Sequence, residues 1–177
     1  YNLRMIGGDG KVMATVGVDF APYRAWMKDC GLATDFIREL ADEYTAQAYI
    51  TTDADNNQIT AFHPGAMNHA HVNHVPKDAG IKLGIVAPES RDGMKLHAEQ
   101  FAAAGIPFIF DPGQGMTLFN GEELAWFIDK ATWVAANDYE ASLLCERTGR
   151  SAEQIASKVR ALIVTRGGEG SHIYADG

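Results

Sequence analysis

From residue 79 onward the chain alternates short apolar runs with amphipathic segments, in a rhythm that few folds accommodate. "GIKLGIVAP", "PFIFD", "ATWVAAN" and "RALIVTR" are apolar with little polar alternation, and between them lie "SRDGMKLHAEQFAAAG", "GEELAWFIDK" and "DYEASLLCERTG", whose apolar residues recur at helical spacing. An apolar run without alternation reads as a strand covered on both faces, and a helix-length connection between two strands makes them parallel. The prediction is an α/β fold: a parallel-sheet core with helices on both faces. In such sheets ligands bind outside the carboxyl ends of the strands. That rule selects four loops, "APES", "DPGQG", "NDYE" and "TRGGEGS", where polar residues and glycines concentrate.

The first part of the chain has a different texture. "YNLRMIGG" reads as a helix, residues 11–18 ("KVMATVGV") as a buried strand, "APYRAWMKDCG" as a helix stopped by Gly31, and "TDFIREL" as a short strand. "YTAQAYITTD" and "QITAFHP" then form two strand-like runs separated by Ala54, Asp55, Asn56 and Asn57, a group suited to a hairpin turn. Tyr44, Ala46, Ala48 and Ile50 fall on one side of the first run and Thr45, Gln47, Tyr49 and Thr51 on the other, which predicts a ribbon with one covered face. The expected organisation is therefore an N-terminal part of the core over 1–43, a β-ribbon over 44–63 and the continuing core over 64–177.

Composition narrows the class of partner. The chain has 177 residues, a hydrophobic fraction of 46% and a formal charge of −8, and its basic residues are scattered singly, so nucleic acid is not an expected partner. Small anions remain open, because helix N-termini and backbone N–H groups supply local positive potential. Cys30 and Cys145 are too few for a disulfide framework and are expected as reduced thiols in a cytoplasmic protein. No apolar run approaches membrane-span length and no signal peptide is visible, so no membrane partner is expected. The chain opens at Tyr1 inside a helix-like run and stops at Gly177 just after the strand-like "SHIYADG", the appearance of an internal fragment.

Three of the selected loops carry residues suited to chemistry, each beside a plainer reading. In Asp111-Pro112-Gly113-Gln114-Gly115 the glycines allow close approach of a ligand and Gln114 offers both donor and acceptor, while an ordinary strand-to-helix turn explains the same residues equally. Asn137 with Glu140 one turn on suits a phosphate and a hydrated Mg²⁺; a capping box has the same spacing, and both readings can hold. In "VTRGGEGS" glycines stand where a backbone could wrap a nucleotide, although glycine turns between strands are common. The standard phosphate loop, the dinucleotide glycine motif and the serine nucleophile elbow are absent. His63, His69, His71 and His74 cluster in "AFHPGAMNHAHVNHVP" without cysteines or a sequence-adjacent carboxylate. They are expected to be solvated or close to substrate, with no metal.

Taken in order, these segments resemble the ribokinase-like (PfkB) sugar and nucleoside kinases, and within them the bacterial adenosine kinases. "TTDADNNQITAFHPGAM" resembles the lid ribbon and following turn of that subgroup, "DPGQ" its D-P-[SG]-Q loop, "NDYEASLL" its phosphate and magnesium motif, and "VTRGGEGS" its nucleotide-binding strand and turn. The resemblance implies an ATP- and Mg²⁺-dependent kinase that transfers the γ-phosphoryl group to a ribose hydroxyl of a nucleoside, adenosine first. By position it implies Phe62 and Gln114 as nucleoside contacts, Asn137, Thr165, Gly167 and Gly170 at ATP, and Glu140 at the metal. It also implies an Asp-bearing strand before residue 1 and a G-A-G-D motif with the catalytic Asp beyond Gly177, so this stretch alone is expected to be inactive. Asp19 is no substitute for that base and reads as a turn cap near the lid. A sugar kinase acting on ribose or fructose and a non-catalytic nucleoside-binding relative are the alternatives. The chain has Ala48 where a second lid aromatic can stand. The ribbon surface suits either a homodimer formed through the lids or closure on its own subunit.

Overall fold

The structure is a computed structural model and describes residues 1–175; Asp176 and Gly177, the end of the run "SHIYADG", lie outside the described residues. The chain divides into two compact units, Tyr1–Asn73 and His74–Gly177.

The first unit contains α1 (Asn2–Met5), β1 (Ala14–Val16), α2 (Ala21–Asp29) and β2 (Ile37–Glu39), followed by β3 (Gln47–Thr52) and β4 (Gln58–His63). β1 and β2 pair in parallel, and Val16, Phe20 and Met27 form a small core with Leu32 and Ile37 packed against it. Gly31 ends α2 at φ 68°, a left-handed conformation that glycine adopts without a Cβ penalty. β3 and β4 form the antiparallel hairpin, with Ala48 opposite Phe62 and Asn56 in the turn at φ 64°. The expectation of one covered face is corrected here. Pairing begins at Gln47, leaving Tyr44 and Ala46 outside the strand, and both faces of the ribbon are exposed, with Ile59 at 78% and Phe62 at 53%. A two-stranded ribbon has no core of its own, and this unit places no further layer against it. After the ribbon, residues 65–72 form 3₁₀ turns that pack on β1.

The second unit holds β5 (Gly84–Val86), α3 (Arg91–Ala103), β6 (Phe108–Phe110), α4 (Gly121–Lys130), β7 (Trp133–Asn137), α5 (Asp138–Thr148), α6 (Ala152–Ala156), β8 (Ala161–Thr165) and β9 (Ser171–Tyr174). The sheet order is β5-β6-β7-β8-β9, parallel except for β9, which returns antiparallel to β8. Consecutive strands added in one direction by right-handed crossovers carry their helices to the same side. Accordingly α3, α4, α5 and α6 pack in a row on one face, over Val86, Phe108, Phe110, Val134, Leu162 and Val164. The other face shows the opposite parity, including Ile85 at 62% and Ile173 at 65% exposure, with no helix of this unit over it among the described residues. No helix among the described residues is long and apolar enough to cross a membrane.

At the centre of the covered face Phe110 stacks on Phe127 with ring centroids 4.5 Å apart and 2° between planes, and Phe119 meets Phe127 edge-on at 4.9 Å. Both Phe110 and Phe127 are fully buried. Phe127→Ala is expected to cost about 3–5 kcal/mol, the usual range for emptying an aromatic site in a core. Urea unfolding with an unchanged m-value and a lowered midpoint would report it.

Candidate active site at the carboxyl edge of the sheet

The strand ends of the second unit converge by register. Asn137 closes β7 and pairs with Thr165, which closes β8. Asn137 is also the N-cap of α5: its Oδ1 accepts from the Glu140 N–H at 2.8 Å, and its own N–H donates to Glu140 Oε2 at 2.9 Å. The capping box is therefore formed, and it leaves Glu140 Oε1 outside the cap. The N-terminus of α5, with its partial positive charge, lies at this edge.

One strand over, β6 runs into Asp111, whose N–H donates to the Val86 carbonyl at 2.9 Å. The half-buried Asp111 carboxyl is pushed above the usual carboxylate range, first by burial and then by the negative charge of Glu140. Two mutually repelling carboxylates thus stand at this edge, one directly after β6 and one in the first turn of α5. Beyond Asp111 the chain turns through Gly113 at φ 45°, where a Cβ would sit 2.6 Å from Pro88 Cγ. A side chain there would be strained and would press on Pro88, so the turn requires glycine. It leaves Gln114 exposed, with its carbonyl accepting from the Thr117 hydroxyl at 3.1 Å.

After Thr165 the loop is closed by the Arg166 N–H donating to the Gly170 carbonyl at 2.8 Å. Gly167 (φ 53°) and Gly170 (φ 90°) hold conformations that L side chains avoid, and no atom of the described residues, chain neighbours aside, comes within 4 Å of where a Cβ would be. The loop is thus open beside both glycines. The Arg166 guanidinium is held by Glu169 Oε2 at 2.8 Å and lies 3.2 Å from His172 Nε2.

Gln114, Asn137, Glu140, Thr165, Gly167 and Gly170 therefore share one edge of one sheet. Phe62 stands on the ribbon, in the other unit, opposite Ala48. Asp111 and Arg166 belong to the same edge and were not singled out from the sequence as site residues. For Asp111 the available signal was a carboxylate directly following a buried strand; Arg166 carried none beyond its place in the loop.

The histidines separate. His69 Nε2 pairs with Glu43 Oε1 at 2.8 Å, so the carboxylate missing near the cluster in sequence comes from ahead of the ribbon. His71 is partly buried, and its Nδ1 is a buried atom without a hydrogen-bond partner. His74 Nδ1 meets Gln100 Nε2 at 2.6 Å, and His63 is exposed at the foot of β4. Of the four, His63 and His74 are exposed and His69 and His71 are partly buried. Among the described residues no three His, Cys, Asp or Glu side chains are grouped to hold a metal ion.

A profile of the pfkB family of carbohydrate kinases matches residues 2–177, and the chain belongs to that family. The sheet and helices of the structure are those of its ribokinase-like α/β fold. A crystallised nucleoside kinase from Burkholderia thailandensis, in complex with inosine, is 54% identical and superposes with a TM-score of 0.95, covering 99% of this chain and 58% of that one. The same enzyme in complex with ADP-inosine gives a TM-score of 0.93. A nucleoside kinase from Methanocaldococcus jannaschii is 27% identical over 174 residues, and its crystal structure superposes with a TM-score of 0.91. This chain spans about 57% of the length of that curated relative.

The raised Asp111 carboxyl carries a testable sign. A carboxyl whose folded pKa is raised opposes folding once it ionises, and that penalty is absent at acid pH, where both states are protonated. Asp111→Asn is expected to raise Tm at neutral pH without divalent cations, with the gain vanishing near the pH at which free aspartate protonates. Thermal scans of both proteins from acid to neutral pH would show it.

Proposed function

We propose that the intact protein is a nucleoside kinase that transfers the γ-phosphoryl group of ATP to a ribose hydroxyl, with a purine nucleoside, adenosine first, as acceptor. The observation that carries this reading is the assembly at one sheet edge of a helix N-terminus, an open glycine loop and a pair of carboxylates. It is supported by 54% identity to a nucleoside kinase crystallised with inosine and with ADP-inosine. Phosphoryl transfer depends mainly on positioning and charge stabilisation, which such parts supply.

The residues divide the work by chemistry. The N-terminus of α5, opened by Asn137, favours phosphate oxygens, and the Thr165 hydroxyl stands beside it on the next strand. Gly167 and Gly170 leave room for the nucleotide against the backbone. Asp111 and Glu140 fit Mg²⁺, which takes oxygen ligands, uses few carboxylates and keeps several waters; their mutual repulsion is the kind of charge a divalent cation relieves. Mg²⁺, when bound there, supplies neutralisation of the phosphate charge. Phe62 offers an exposed aromatic face on which a purine can stack, and the Gln114 amide can present donor or acceptor to the base or ribose. Because that amide serves either polarity by rotation, adenosine and inosine are both suitable acceptors. The ribbon contributes to nucleoside binding through Phe62, and its second exposed face, with Tyr49 and Ile59, is suited to pairing with a second copy. The working compartment is the cytoplasm. The 177-residue stretch by itself does not turn over, since the resemblance puts the catalytic base outside it.

ADP release by the intact gene product, assayed with adenosine, inosine, ribose and fructose, tests the reading. Turnover with a nucleoside is expected; turnover confined to the free sugars would replace it with a sugar kinase. Phe62→Ala should raise the nucleoside KM about tenfold, as for the loss of one base–aromatic stack, while sparing the KM for ATP. Glu140→Gln keeps an oxygen for the α5 cap but removes the charge, and kcat should fall about 100-fold with little change in Tm.

A further inference from the structure

We propose that Asp19 is a positioning residue that latches the foot of the ribbon and thereby sets where Phe62 stands, an inference that rests on the nucleoside kinase reading. Among the described residues nothing buries either face of the ribbon, so apolar packing within them does not hold its attitude. The polar contacts at its foot remain, and they converge on one carboxylate. Asp19 Oδ1 accepts from the Thr45 N–H at 2.8 Å and from the Thr45 hydroxyl at 2.7 Å. Its Oδ2 accepts from Gln47 Nε2 at 3.2 Å, and Gln47 Oε1 in turn accepts from the Tyr49 hydroxyl. Gln47 pairs with His63, the rung next to the Ala48–Phe62 pair, so the Asp19 contacts end one rung from the aromatic.

The surrounding backbone leaves the ribbon's foot little freedom to slide. A Cβ on Gly17 would lie 2.2 Å from the Glu43 carbonyl oxygen and 2.4 Å from the backbone of Tyr44, so the chain leading into β3 rests directly on Gly17. The Gly17 N–H donates to the Thr45 hydroxyl oxygen at 3.0 Å, and the Val18 N–H to the Glu43 carbonyl at 3.0 Å. On the exit side the Ala66 N–H donates to the Tyr44 carbonyl at 2.8 Å, and the Thr15 hydroxyl to the Ala66 carbonyl at 2.7 Å. Tyr44 is thus a pivot held from both sides, and Asp19 fixes the direction in which the chain leaves it. The donors around Asp19, the Thr45 N–H foremost, hold its carboxyl below the usual range, so it stays ionised at neutral pH.

The test uses the full-length protein with Asp19→Ala and Asp19→Asn, read by hydrogen exchange without substrate and by steady-state kinetics. In Asp19→Ala the amides of 47–63 should exchange about tenfold faster while those of β5–β9 are unchanged, the scale expected for losing hydrogen bonds to a charged group. The nucleoside KM should rise by a similar factor with the KM for ATP unmoved. Asp19→Asn, which retains one oxygen for Thr45, should recover most of both effects. Unchanged ribbon exchange in Asp19→Ala would overturn the latch, as would faster exchange spread over both units. A protein inactive on nucleosides would refute the kinase reading, and the exchange experiment would still decide whether Asp19 holds the ribbon.

Discussion

Parallel strands joined by right-handed crossovers present their carboxyl ends, and the N-termini of the following helices, along a single edge. The arrangement of the second unit follows from that handedness. Because β6, β7 and β8 are neighbours in the order in which they are made, Asp111, Asn137 and Thr165 arrive at adjacent strand ends although 54 positions separate the first from the last. The same rule stacks four helices on one face and puts the aromatic core of Phe110, Phe119 and Phe127 beneath them, a rigid support for the loops above. The polar edge and the core are consequences of one chiral preference.

What distinguishes the edge chemically is an electrostatic imbalance. Asn120 and Glu123 at the start of α4 form the same capping box as Asn137 and Glu140 at the start of α5, with the same spacing in sequence. Glu123 is neutralised by Arg91 and by Lys95 at 3.3 Å, and its backbone bond from Asn120, with help from those cations, holds its carboxyl below the usual range. Glu140 faces Asp111 instead, whose carboxyl is raised first by its burial and then by the charge of Glu140. One box is a helix start on a charged surface. The other sets two carboxylates against each other, with no ion pair to either among the described residues.

The first unit uses polar contacts where the second uses packing. Its small core of Val16, Phe20 and Met27 lies under β1 and β2, and the ribbon extends from it with exposed faces. Charge-assisted bonds donated by Thr45 to Asp19 and close backbone contacts at Gly17 and Gly65 lie at the ribbon's foot. Bonds of this kind are directional and exchange with water more readily than a buried apolar contact, so they orient the ribbon without packing it.

Periodicity determined most of the secondary structure by itself. The strand and helix runs after residue 79, the Gly31 stop and the hairpin around Asn56 were all legible, because each rests on local apolar spacing or on a backbone conformation that few residues adopt. The motif residues at the three loops were legible too, but only as alternatives, since N-x-x-E describes a cap and a phosphate site equally well. Tertiary structure forms the cap and adds neighbours from distant sequence: Asp111 beside Glu140, and Thr165 beside Asn137. It also reassigned His69 to Glu43, stripped the ribbon of its expected cover and turned Asp19 from a turn cap into the anchor of Thr45 and Gln47. Local sequence encodes propensity and pattern, which act over a few residues; charge coupling and long-range hydrogen bonding depend on separations in space that only the folded chain defines.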